Sequence, residues 1–170
     1  MKENNMFGFR KNKNKPAAGN PDEIILHAPA DGELIALEDV KDPVFAQKMM
    51  GEGFAVVPES GLIVSPVDGV VVLTAPTAHA VGLESQGVSI LVHCGLDTVN
   101  LNGDGLELLV REGQTVHAGD PLVRYDQKKM HDKGIDMTTP VVITDAGGFV
   151  FEAPVPDEVS AGDRAGRLHK

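Results

Sequence analysis

From Asp22 onward, short apolar runs alternate with glycine, proline and acidic residues. The runs are Ile24–Ala28, Glu33–Leu37, Gly61–Ser65, Val70–Thr74, Val88–Val92, Leu106–Val110, Pro121–Tyr125, Val141–Ile143 and Phe149–Glu152. Valine and isoleucine dominate many of them, and each has the length of a strand. Turn residues at this spacing predict an all-β fold, an antiparallel sandwich or barrel. Two segments read differently. Pro43–Met50 and Gln127–Gly134 carry helix-forming residues and predict short helices. Asp42 is placed to cap the first, with Pro43 in its first turn and Gly51 just past its end.

Two echoes suggest internal duplication. Ala28-Pro-Ala-Asp-Gly32 returns 37 residues later as Ser65-Pro-Val-Asp-Gly69, each copy between two apolar runs. Val116-His-Ala-Gly-Asp120 returns 43 residues later as Val159-Ser-Ala-Gly-Asp163. The first pair predicts two strand–turn–strand units closed by Asp-Gly. Together the echoes predict a pseudo-symmetric β structure made of two similar halves.

Candidate chemistry gathers between residues 77 and 99. Ala80–Glu84 and Val88–His93 read as the arms of a hairpin turning at Ser85-Gln86-Gly87. With Glu84 opposite Val88, His79 falls opposite His93, and opposed side chains lie roughly 5 Å apart at Cβ. A two-residue turn would offset the pair by one. In the first register Val81 and Leu83 share a face with Ser89, Leu91 and His93, while Val88, Ile90 and Val92 face the core. The result is two imidazoles side by side within an apolar rim. His27, His117, His131 and His169 have no such partner in sequence and read as surface residues. Cys94, the single cysteine, reads as a small apolar strand residue.

Charge separates the chain into two parts. The formal net charge of the 170 residues is −10. Residues 1–20 hold five basic side chains against one acid, net +4, which leaves −14 on residues 21–170. Residues 1–20 therefore read as a flexible basic tail, and 21–170 as the folded domain. Met6, Phe7 and Phe9 beside the basic run offer the tail a weak contact with an anionic membrane surface. A body this acidic repels phosphate backbones, which argues against nucleic acid as a partner. One cysteine forms no internal disulfide, and no apolar run has the length of a membrane span, so a cytoplasmic location is expected.

His93-Cys-Gly-Leu-Asp-Thr-Val99, preceded by Ser65-Pro-Val-Asp-Gly69 and Thr77-Ala-His-Ala80, resembles the glucose-type enzyme IIA (EIIA type 1) domain. That family belongs to the bacterial phosphoenolpyruvate-dependent sugar phosphotransferase system. The similarity extends from about Ile24 to Thr144, through Leu37-Glu-Asp-Val40, Asp42-Pro-Val-Phe-Ala-Gln-Lys48, Gly113-Gln-Thr-Val116 and Thr139-Pro-Val-Val142. It implies an antiparallel β-sandwich with short helices and a shallow apolar depression holding two histidines. It also implies a relay in which a histidine takes a phosphoryl group from the phosphocarrier HPr and passes it to a cysteine on a IIB domain.

Carried over by position, His93 matches the histidine phosphorylated on Nε2, and His79 the second active-site histidine. Thr77 matches the hydroxyl that orients the imidazoles, and Asp97 a partner-facing acid. Backbone N–H groups near Gly95 are placed to support the transferred oxygens. Asp42, Val44, Phe45 and Met50 fall on the family's docking rim, joined here by Val81 and Leu91. No cofactor is implied beyond the covalent phosphoryl group. His79 and His93 would hold zinc only adventitiously or with ligands shared by a partner. Two other functions compete. Glu112–Pro121 also resembles the turn of biotinyl and lipoyl carrier domains, for which Lys128-Lys129-Met130 would have to carry the attachment lysine. A regulator that docks through the apolar patch without catalysis is the other.

Overall fold

The computed structural model describes residues 20–170, so the expectations placed on residues 1–19 lie outside the described residues. The strands are β1 (Glu23–His27), β2 (Gly32–Ala36), β3 (Glu52–Pro58), β4 (Leu62–Val64), β5 (Gly69–Thr74), β6 (Ala80–Ser85) and β7 (Val88–His93). They continue as β8 (Leu106–Leu108), β9 (Thr115–Val116), β10 (Pro121–Tyr125), β11 (Thr139–Asp145), β12 (Val150–Glu152), β13 (Asp157–Val159) and β14 (Arg164–His169). Helices α1 (Pro43–Ala46) and α2 (Gln127–Asp132) and two 3-10 turns, Leu37–Asp39 and Thr98–Leu101, complete the described elements. Eight strands form one antiparallel sheet in the order β9-β5-β6-β7-β11-β3-β2-β13. Two three-stranded sheets, β4-β10-β8 and β12-β14-β1, pack with it.

The fold class agrees with the apolar pattern, and the differences have local causes. β3, β9, β13 and β14 lie outside the predicted runs. β3 is buried on both faces along its middle, so its apolar residues are continuous and give no alternating signal. β13 (Asp-Glu-Val) and β14 (Arg-Ala-Gly-Arg-Leu-His) are mostly polar, and β13 lies at a sheet edge. Both helices are shorter than predicted. Past α1, Lys48 takes φ 59°, and past α2, Gly134 takes φ 68°, left-handed values that cannot continue a helix.

The duplicated segments meet at one place. Ala28–Asp31 and Ser65–Asp68 are the turns of the two expected strand–turn–strand units, and each is a corner that carries the chain from a small sheet into the large one. The His27 N–H donates to the Pro66 carbonyl (2.7 Å), and the Val64 N–H to the Pro29 carbonyl (2.7 Å). Shifting His27 forward by 37 and Pro66 back by 37 yields Val64 and Pro29, the residues of the second bond, the signature of a local two-fold axis. The second echo closes the same corners. Ala28 pairs with Gly162 and Asp163, and Ser65 with Gly119 and Asp120. The Asp31 carboxylate accepts the Ala161 N–H at 2.7 Å, and the Asp68 carboxylate the Ala118 N–H at 2.8 Å. A side chain at Gly32 would collide with the Val57 carbonyl, and one at Gly69 with the Glu84 carbonyl, so glycine follows aspartate in both copies for the same reason.

The large sheet separates two apolar clusters. One face supplies Leu34, Phe54, Val56, Val81, Leu83, Ile90, Val92 and Val141 to the main core, which the small sheets complete. On the other face, Ala55 and Val142 lie under Leu37, Val40, Phe45 and Leu96, a smaller cluster roofed by the β2–β3 connection. Strand alternation puts His93, between core residues Val92 and Cys94, on the face of this smaller cluster.

Because the corners are equivalent, Asp31→Ala and Asp68→Ala should each destabilise the fold by a similar amount. Roughly 1.5–3 kcal/mol is the scale for a charged hydrogen bond, and urea unfolding of both variants measures it.

Candidate active site

The hairpin β6–β7 turns on two residues. Gln86 at φ 50° and Gly87 at φ 82° make the left-handed pair that a tight hairpin turn needs. Ser85 therefore pairs with Val88, Glu84 with Ser89 and Ala80 with His93. The offset register holds, and His79 sits diagonally from His93 rather than opposite it. The chain stays closed past the strands, because the Cys94 N–H donates to the His79 carbonyl at 2.7 Å. The two rings still meet, with centroids 5.4 Å apart and planes at 69°.

Each imidazole is held through its Nδ1. His93 Nδ1 lies 2.7 Å from the Gly95 carbonyl oxygen. A carbonyl can only accept, so the proton of the neutral ring is on Nδ1 and the lone pair on Nε2. His79 Nδ1 is hydrogen-bonded to the Thr77 hydroxyl. Thr77 and His79 lie in the turn between β5 and β6, where Ala78 takes φ 61° and its N–H bonds the Ala75 carbonyl. Beyond His93, Gly95 and Asp97 are both left-handed, at φ 84° and 58°. A side chain at Gly95 would meet Thr98 and Met137, which close around it. Met137 lies 42 residues from Gly95 in sequence, and nothing local marks it as a neighbour of the site.

Burial lowers the pKa of both histidines below the usual 6.5. For His79 the neighbouring His93 adds to the effect. For His93 the Gly95 carbonyl, Asp42 and Asp97 oppose it without reversing it. Both rings are thus mainly neutral at pH 7. Cys94 is fully buried, and its thiol is pushed up to about 12, which makes it inert beside the His93 ring. Among the described residues no group of three or more His, Cys, Asp or Glu side chains gathers to hold a metal. His79 and His93 supply two ligands at most, so a zinc ion would need the rest of its set from another protein.

The rim differs from the sequence expectation in two residues. Val81 is 0% exposed in the main core, because the two-residue turn pairs it with Val92 and points it inward. Phe45 is 4% exposed and belongs to the smaller cluster, its ring 5.1 Å from that of His93. Neither presents a side chain to a partner. Asp42 caps α1 by accepting the Val44 N–H at 2.9 Å. Val44 and Met50 are exposed, and Leu91 is half-buried on the face of His93, opposite Gly82. Met49, Leu73 and Val99 are also exposed apolar side chains, which the sequence expectation did not include. His27, read as a surface residue, is half-buried with Nδ1 near the Pro66 carbonyl.

Two measurements check this site. Phe45→Ala should cost about 3 kcal/mol of stability by urea unfolding, as aromatic truncations in cores do, rather than merely weakening an association. Histidine NMR titration should place His79 and His93 below 6.5. The unfolded chain then binds protons more readily, so stability should fall as the pH drops from 7 through about 6.5.

Comparison with known proteins agrees with this geometry. Residues 24–149 match the family described as phosphoenolpyruvate-dependent sugar phosphotransferase system, EIIA 1. The glucose-specific EIIA component of Halalkalibacterium halodurans is 44% identical over 160 residues, covering 93% of this chain and 92% of that protein. The Staphylococcus aureus (strain COL) component of the same name is 48% identical over 123 residues, 72% of this chain and 74% of that one. The structure of glucose permease IIA from Mycoplasma capricolum superposes with a TM-score of 0.80 at 40% identity, covering 85% of this chain and 95% of that one. No helix among the described residues is long and apolar enough to cross a membrane. Paired imidazoles on a duplicated β-sandwich and a match over most of the sequence agree: the chain belongs to the EIIA type 1 family of sugar phosphotransferase components.

Proposed function

We propose that the chain takes a phosphoryl group on His93 Nε2 from phosphorylated HPr and passes it to the cysteine of a IIB domain of a sugar permease. The observation that carries this is the His93 Nδ1–H bond to the Gly95 carbonyl, which turns a neutral Nε2 lone pair into the available nucleophile. The lone pair forms the new N–P bond as the donor's N–P bond breaks. No proton need leave the acceptor ring. In the second step the bond to His93 breaks and an S–P bond forms on IIB.

His79 assists without carrying the group. With the Thr77 hydroxyl donating to Nδ1, its proton sits on Nε2, where it can donate to an oxygen of the transferring phosphoryl. A loose transition state with charge on three oxygens depends mainly on such placed donors. Asp42 and Asp97 flank the ring with negative charge, which would draw a basic donor face and speed encounter. Val44, Met50 and Leu91 supply the apolar contact and exclude water from the labile N–P bond.

The carrier reading loses its lysine. Lys128 and Lys129 lie on α2, not at a hairpin tip, Lys129 is paired with Asp104, and Met130 is buried.

Incubation with phosphoenolpyruvate, enzyme I and HPr should add an acid-labile phosphoryl group, located at His93 by peptide mapping and absent from His93→Ala. Labelling of His93→Ala at the wild-type level would refute the assignment. His79→Ala should fold normally and slow transfer by about 10²–10³-fold, the loss typical of one such donor. Rapid-quench kinetics with thermal melts separates that from a packing role.

A further inference from the structure

Thr98 has no part in the transfer described above, yet it is fully buried between the reactive loop and the core. It opens the 3-10 turn that follows Asp97, and its side chain reaches back to the Cys94 carbonyl and the Gly95 α-carbon. Its hydroxyl donates to the Cys94 carbonyl at 2.7 Å. Its methyl, Cγ2, lies against Gly95, 2.6 Å from where a β-carbon there would stand. Met137 Sδ presses on the same point from 2.8 Å. The Cys94 peptide is thus pinned by a hydrogen bond, and the Gly95 α-carbon is wedged between two side chains.

This matters because the next carbonyl, that of Gly95, receives the His93 Nδ1–H. Gly95 at φ 84° and Asp97 at φ 58° lie beyond the end of β7, outside the strand ladder. That peptide is held at its far end, where the Leu96 N–H donates to the Asp136 carbonyl at 2.8 Å, so its remaining freedom is set at the Gly95 α-carbon, and rotation there would carry the carbonyl away from the ring. A neutral imidazole without a partner prefers its proton on Nε2, which would remove the lone pair there.

We infer that Thr98 is a positioning residue for phosphoryl transfer: by holding the Cys94 carbonyl and packing at the Gly95 α-carbon it sets the direction of the Gly95 carbonyl, keeps that carbonyl on Nδ1 and so keeps His93 in the tautomer whose Nε2 can attack. The inference rests on Nε2 of His93 being the acceptor. Thr98 itself touches neither the phosphoryl group nor the ring.

The test is long-range ¹⁵N–¹H NMR of the histidine rings of the full chain at about pH 8, where the rings are neutral, with the rate of phosphoryl acceptance from HPr. Wild type should show His93 as the Nδ1–H form. Thr98→Val keeps the shape and removes the donor. It should stay folded by its melting curve, shift His93 measurably toward the Nε2–H form, and slow acceptance by about tenfold, the scale of one lost hydrogen bond. Thr98→Ser restores the hydroxyl and should return both the tautomer and the rate to near wild type. A Thr98→Val protein with an unchanged tautomer would overturn the inference, as would equal impairment of the valine and serine variants. If the valine variant does not fold, the wild-type spectrum still decides, because an Nε2–H form of His93 there is by itself a refutation. Peptide mapping of the labelled protein keeps the acceptor assignment separate: label on another residue, with the tautomer shift intact, would refute that assignment and leave the action of Thr98 on the ring standing.

Discussion

Two hydrogen bonds hold the corners of the fold together, His27 N–H to Pro66 and Val64 N–H to Pro29, related by a local two-fold axis. At each corner the chain leaves a small sheet and enters the large one, through Asp31-Gly32 or Asp68-Gly69. His27 and Val64 close the edge strands β1 and β4, so on their outer side these amides have no neighbouring strand to join, and leaving them unpaired away from water would cost several kcal/mol between them. The duplicated sequence resolves this by making each corner the other's partner. The second repeated segment then supplies carboxylate-capped turns against both. With the corners locked, β2 and β5 enter the large sheet in set positions, and β6 and β7 build outward from β5.

The large sheet has a consequence for chemistry because its two faces do different work. One is closed into the main core, while the other is covered only in part by the β2–β3 connection. His93 lies at the edge of that cover, against the buried ring of Phe45 on one side and near His79 on the other. Partial cover desolvates the imidazoles enough to keep them neutral, yet leaves a face open for another protein. Phe45 contributes to this by packing, while Val44 and Met50 stay exposed and Leu91 half-buried around it. The same helical turn thus presents Val44 outward and sets the His93 ring inward.

Phosphoryl relay asks for little covalent chemistry from a protein, but it needs one nitrogen aimed and its proton held elsewhere. The local hydrogen bonds fit that requirement. The Gly95 carbonyl accepts from His93 Nδ1, the Thr77 hydroxyl bonds His79 Nδ1, and left-handed residues let the chain bend tightly enough to bring these groups to the rings. The thiol of Cys94, next in sequence to His93, is kept protonated by burial.

Much of this was legible from residues alone. Strand-length apolar runs, turn residues and the two echoes pointed to a duplicated all-β fold, because those signals are local and each strand or turn carries its own. The motif around His93 and its spacing from His79 pointed to the family for the same reason. Other features depend on contacts between distant segments and were not readable. A hairpin register differs by one residue between a two- and a three-residue turn, and only the left-handed pair Gln86-Gly87 decided it, burying Val81. Phe45 has the same identity whether it faces a partner or a core, and packing against Ala55, Leu96 and Val142 decided that. The resemblance implied a role for His93 Nε2, but which nitrogen carries the proton depends on a carbonyl two residues on, in a bend closed by Thr98 and by Met137 from another strand's approach. Local pattern sets which elements form and which chemistry is present. The tertiary structure decided which side each residue faces and which atom is free to react, because those depend on neighbours that sequence order does not place together.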